Sequence, residues 1–154
     1  MPDIFHQFPV FAPARKVFDA VSTPEGLDAW WTLTSKGESV AGNIYELFFG
    51  EGYDWCGRVS TCVPGRIFAL LIYDSMEDWE NTIVRFELTE KISPATVDAG
   101  EGRVITDVLF SHIDWPVGND HYRISSFCWA MYLRLMKKYV ETGEVVEYSK
   151  RLDA

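Results

Sequence analysis

Positive charge is scarce in this 154-residue chain: 14 Lys and Arg stand against 23 Asp and Glu, a net charge of −9, and no basic run occurs. Nucleic-acid binding needs a positive footprint, so that class is excluded, and anionic membrane surfaces are disfavoured by the same argument. An acidic chain suits neutral or cationic partners instead. No apolar run approaches the roughly 20 residues that cross a bilayer, so no membrane insertion is expected. Cysteine is sparse, with only Cys56, Cys62 and Cys128. Cys56 and Cys62 share strand parity but lie roughly 20 Å apart in an extended chain, too far for the close pairs zinc sites use. No metal and no organic cofactor is therefore expected. An odd cysteine count and the lack of an N-terminal apolar signal region point to reduced thiols in a cytoplasm. GxSxG, Walker A and Gly-rich phosphate loops are all missing, as are repeats, linkers and low-complexity segments. Residues 1–154 read as a single domain, long enough to bury roughly 70% of the unfolded surface.

Aromatic residues, in contrast, are abundant: 15% of the chain, with Phe 10, Tyr 7 and Trp 6. Bulky rings suit a thick core or the wall of an apolar pocket. The most informative stretch is Phe11–Thr32, FAPARKVFDAVSTPEGLDAWWT. Pro13 can open a helix, and Val17, Phe18 and Val21 follow at helical spacing. Ser22 or Thr23 with Pro24 and Glu25 reads as a new cap and restart. Leu27, Trp30 and Trp31 make the second helix apolar at its end. So short a pair must seal a larger core, with the Trp pair as a plug or as the rim of a cavity mouth.

Residues 2–11 read as a first strand, and Pro9 places it at an edge or a bulge. Further strands are expected over Asn43–Phe49, Trp55–Val63, Ile67–Tyr73, Thr82–Thr89 and Arg103–Ser111. The nearly all-apolar Ile67–Tyr73 should be central and covered on both faces. Asp74–Asn81 (DSMEDWEN) reads as a loop with an exposed Trp79, and Ser93–Gly102 as another loop. Asn119–Thr142 reads as one helix of roughly 36 Å closed by Gly143, with a polar stripe of Ser126, Ala130, Arg134, Lys137 and Glu141. Its remaining arc is apolar and wide, as in a helix buried on both flanks. The expected class is α+β: a curved antiparallel six- to seven-stranded sheet wrapped around a long C-terminal helix, with two short helices after strand 1.

The order of APARKVFDAVSTPEGLDAWWT, GRVSTCVPGRI and a long C-terminal helix resembles the START-like or SRPBCC superfamily, within it the heat-shock-protein-90 ATPase activator-like branch. The likeness covers essentially the whole chain. It implies a helix-grip fold with an apolar cavity under the long helix, and a small apolar or amphipathic molecule as partner. A homodimer is a further implication, although no heptad pattern announces one. Relatives include lipid and sterol binders and a few cyclases and hydrolases, so a cyclase- or hydrolase-like enzyme in the same cavity is the alternative. A chaperone-accessory or interaction role is the other. Named co-chaperones carry a separate N-terminal domain, whereas this chain begins at its first strand, so that role is not carried over.

The polar candidates to meet a cavity are Tyr45, Tyr73, Arg85 and Tyr132. Arg85 can pair a ligand carboxylate or face solvent beside Glu87. The apolar candidates are Trp30, Trp55, Phe68, Phe86, Phe127, Met131 and Leu135, each of which can equally be plain core. For catalysis, His112 and Asp114 share parity at the end of the last strand and can act as base and orienter, or simply form a polar turn. His121 falls in the first turn of the long helix, where a cap or surface role is expected.

Overall fold

In the computed structural model, residues 2–93 and 103–153 are described. Strand β1 (Ile4–Val10) is followed by helices α1 (Ala14–Ser22) and α2 (Pro24–Trp30). Strands β2 (Thr34–Lys36), β3 (Ile44–Phe48), β4 (Asp54–Val63), β5 (Ile67–Asp74), β6 (Thr82–Ser93) and β7 (Arg103–Ile113) come next, then helix α3 (Asp120–Thr142). One antiparallel seven-stranded sheet runs in the order β1-β7-β6-β5-β4-β3-β2. Pro9 is thus on an edge strand, where its missing N–H costs no ladder bond. Two register shifts in β4, at Cys56/Gly57 and Val59/Thr61, bend the sheet.

The short helices start and stop where their residues demand. Thr23 caps α2, its Oγ1 accepting the Gly26 N–H at 3.0 Å, and Pro24 occupies the first turn. Gly26 is where α1 and α2 meet: a Cβ there would lie 2.6 Å from the Ala20 Cα and carbonyl oxygen. Asn119 caps α3 through the Tyr122 N–H, and Gly143 ends it in the left-handed conformation at φ 80°.

Alternation along β6 and β7 turns Val84, Phe86, Leu88, Val108, Phe110 and His112 inward, all buried. Helix α3 lies over this face with Ser125, Trp129, Leu133, Met136 and Val140 buried, and Trp129 meets Phe110 at 4.5 Å. This is an α+β helix-grip arrangement.

The sheet has seven strands, within the expected six to seven; one strand goes unassigned from sequence and three expectations need correction. Strand β2, only three residues, escapes periodicity because so short a run shows no alternation. The stretch after β5 is not a plain loop: a single helical turn, Glu77–Trp79, drives Trp79 into the core, leaving it 7% exposed. Helix α3 is buried on one face only. Ile124 and Phe127 lie on its outer side, 60% and 67% exposed, because the sheet occupies just one flank. For the same reason β5 is central but not covered on both faces, with Ile67 and Leu71 half-buried and Tyr73 exposed. The expected Ser93–Gly102 loop falls, beyond Ser93, outside the described residues.

Candidate functional site

A pocket of about 380 Å³ opens beside the N-terminal half of α3, a size within the usual range for small-molecule sites. Its walls are aromatic. Trp31 meets Phe49 at 5.2 Å, Phe49 meets Trp55 at 4.8 Å, and Trp55 meets Trp79 at 5.0 Å. Trp79 then stacks on Trp129 at 5.7 Å, and Trp129 returns to Trp31 at 5.1 Å. All five line the pocket, so the contacts form a closed circuit of rings around it. Four separate chain segments supply them: the end of α2, the β3–β4 hairpin (Phe49 in its turn, Trp55 in β4), the β5–β6 connection and α3.

Behind the circuit, one hydrogen-bonded chain fixes the two central indoles. The Trp129 Nε1–H donates to His112 Nδ1 at 3.1 Å, and His112 Nε2 lies 2.8 Å from Thr82 Oγ1. Thr82 Oγ1 in turn donates to the Trp79 carbonyl at 2.5 Å. Because Trp129 can only donate, Nδ1 accepts and Nε2 carries the proton, so His112 is a neutral, fully satisfied imidazole. Burial, with a smaller contribution from the charge of His121, pushes its pKa down to about 3. It holds pocket walls in place and has no free nitrogen for a substrate. Asp114, its expected partner, lies past the strand end with φ 68° and is exposed, so the two do not form a base and its orienter.

The pocket's polar groups come mainly from α3. His121, Ser125, Cys128 and Tyr132 line it, at spacings of four, seven and eleven residues along one helical face. Burial pushes the Tyr132 hydroxyl up to about 12, so it stays a donor at neutral pH. Tyr148 closes another side, its hydroxyl donating to the Phe49 carbonyl at 2.9 Å. That C-terminal segment is pinned by Arg151, which is 4% exposed and donates to the carbonyls of Val146, Thr32 and Asp28. No lysine or arginine lines the pocket. Among the described residues, no group of three or more His, Cys, Asp or Glu is placed to hold a metal ion. No helix among them is long and apolar enough to cross a membrane.

Of the cavity candidates read from sequence, Trp55 and Tyr132 line this pocket. Trp30, Tyr45, Phe68 and Phe86 are buried in the core away from it. Trp30 is held by its Nε1–H to the Ala20 carbonyl at 2.9 Å, and Tyr45 by its hydroxyl to the Ser22 carbonyl. The tryptophan pair therefore divides its work: Trp30 is a plug, and Trp31 is pocket wall. Met131 and Leu135 are half-buried and off the pocket, and Phe127 points to solvent. Tyr73 is 37% exposed beneath the Arg58 guanidinium, and Arg85 sits outside, 3.9 Å from Glu87. Sequence reasoning missed Trp79, Trp129, Phe49, Tyr53 and His121 as lining residues. The shared helical face of His121, Ser125, Trp129 and Tyr132 was the available signal.

A long helix gripped by a curled antiparallel sheet, with an aromatic pocket at one end, defines a START-like domain. The family model described as activator of Hsp90 ATPase homolog 1-like protein matches residues 11–141, and the chain belongs to that family. Among solved structures, the Aha1 dimer from Colwellia psychrerythraea is similar, with 27% identity, a TM-score of 0.74, and coverage of 94% of this chain and 99% of that one. The protein SSP2350 from Staphylococcus saprophyticus matches at 19% identity and a TM-score of 0.72, covering 95% and 96%. CalU16 from Micromonospora echinospora matches at 15% identity and a TM-score of 0.62, covering 92% and 77%. The last two likenesses concern the fold alone. No curated protein matches the chain.

Proposed function

We propose that this protein is a single-domain binding module for a small, planar, apolar or amphipathic molecule, held in the aromatic pocket beside α3. The observation that carries this reading is the closed circuit of Trp31, Phe49, Trp55, Trp79 and Trp129 around a pocket of about 380 Å³. Ring faces stack on flat ligands, and burying apolar ligand surface contributes about 25 cal/mol per Å². His121, Ser125 and Tyr132 supply the few polar groups that would set orientation. Trp79 also favours binding over a surface-interaction role, because it folds inward against the pocket instead of standing in an exposed patch.

With no cationic side chain in the lining and a net charge of −9, neutral ligands are favoured over carboxylates. The protein would act in the cytoplasm, without metal or organic cofactor. The dimeric relative from Colwellia psychrerythraea supports a homodimer as its assembly.

Mass spectrometry of molecules extracted from purified protein, with a thermal-shift screen of neutral aromatic compounds, tests the reading. An aromatic molecule co-purifying, or one raising Tm, is the expected result. An empty extract together with no stabilisation by any compound would overturn it.

A further inference from the structure

Two residues far apart in sequence meet at the edge of this pocket. His121 Nδ1 lies 3.0 Å from Asp78 Oδ2, and the Asn119 side-chain amide donates to the same oxygen at 3.1 Å. Asn119 is the cap of α3, so the carboxylate stands at a helix N-terminus, where negative charge is favoured. The hydrogen bond from His121, then that from Asn119, holds the Asp78 carboxyl below its ordinary range. An ionised carboxylate only accepts, so Nδ1 of His121 carries a proton, and in the neutral ring Nε2 is then the acceptor. Nε2 has no hydrogen-bond partner among the described residues. The ring is held edge-on to Trp115, 5.5 Å between centroids at 82°, and it lines the aromatic pocket. One turn on, Ser125 is buried, with Oγ 3.4 Å from the Trp79 Nε1–H that donates to it.

We propose that Asp78 and His121 form a proton-accepting dyad in the pocket, and that the ligand class is a planar aromatic compound bearing an acidic hydroxyl. The assignment rests on the pocket being a binding site. A ligand that arrives as an anion finds no lysine or arginine in the lining, whereas a phenol arrives neutral and stacks on the rings. Its O–H bond then breaks as the proton passes to Nε2 and a new N–H bond forms. The phenolate keeps the electron pair and faces an imidazolium that Asp78 stabilises from the far side. No electrons are exchanged, and no co-reactant is needed. Asp78 is a positioning residue here; His121 is the group that touches the ligand.

The test uses 3-nitrophenol, a weaker acid whose ionisation also shifts its absorption to longer wavelength, at neutral pH, where the free compound is mostly neutral. Tryptophan fluorescence reads occupancy, and absorption reads protonation. The wild type is expected to show saturable quenching together with the phenolate band of the bound probe. His121→Gln should still bind, with affinity weakened no more than about tenfold, as loss of one hydrogen bond gives, but without the phenolate band. Asp78→Asn, a second variant at a partly exposed site, should also lose the band. A phenolate band unchanged in His121→Gln, or a neutral bound probe in the wild type, would overturn the dyad and leave the pocket reading standing. Saturable quenching by 3-nitroanisole but not by 3-nitrophenol would overturn the ligand class. Quenching by neither would overturn the dyad and the pocket reading together.

Discussion

The indole N–H of Trp129 on α3 points at Nδ1 of His112 on β7, 3.1 Å away in a fully buried setting. This one bond ties the helix to the sheet at the back wall of the pocket, and it fixes the imidazole as a neutral acceptor. Replacing His112 by Leu leaves the Trp129 N–H without its acceptor and removes Thr82's donor partner. Each orphaned buried group costs about 1–3 kcal/mol, so His112→Leu should be less stable by about 2–4 kcal/mol in urea unfolding.

The same histidine sets an acid dependence. Unfolded, it takes up a proton near its ordinary 6.5; folded, it resists until about 3. As pH falls between those values the unfolded chain binds the extra proton, so folding is disfavoured. This contribution is fully present above about 6.5 and is lost progressively toward 3, at up to about 1.4 kcal/mol per pH unit. Stability of the wild type measured against pH should show this slope, and His112→Leu should be flatter over the same window.

At Gly26 the two short helices touch so closely that a methyl group would meet the backbone of Asp19 and Ala20 at 2.6 Å. Backbone cannot swing aside as a side chain can. Gly26→Ala should therefore lower stability by about 1–3 kcal/mol, although Ala is ordinarily the better helix former. A rise in Tm for this variant would contradict the account of the α1–α2 contact.

Arg151 serves the carbonyls of Val146, Thr32 and Asp28 and so holds Tyr148 and Leu152 against the pocket. Arg151→Ala should lose about 2–4 kcal/mol, because several buried carbonyls lose a charged donor. Aromatic-ligand affinity should fall as well, read by the same fluorescence titration.

The sequence carried the architecture further than the site. Pro13, the Thr23-Pro24 cap, Asn119 and Gly143 are local signals, and each marks a real helix boundary. Alternation in β6 and β7 was visible too, but only the long-range pairing of Phe86 with Phe110 reveals which parity faces α3. The pocket was harder to see because it is assembled from four segments. Trp79 looked exposed in its acidic stretch, and only the turn at Glu77–Trp79 drives it inward. Phe127 looked buried because helical periodicity reports apolar arcs, not which arc the sheet covers. The pairing of Asp78 with His121, 43 residues apart, gave no sequence signal.

The central claim is that the ring of aromatics binds ligand, and comparing Trp55 with Phe127 tests it most directly. Trp55 lines the pocket and is half-buried, while Phe127 is 67% exposed on the far side of α3. A fluorescence titration with a neutral naphthalene derivative should give saturable binding to the wild type and to Phe127→Ser alike. Trp55→Ala should weaken it at least about tenfold, the loss of roughly 1.4 kcal/mol of stacking and burial. Equal affinity in Trp55→Ala, or weakening by Phe127→Ser alone, would contradict the account.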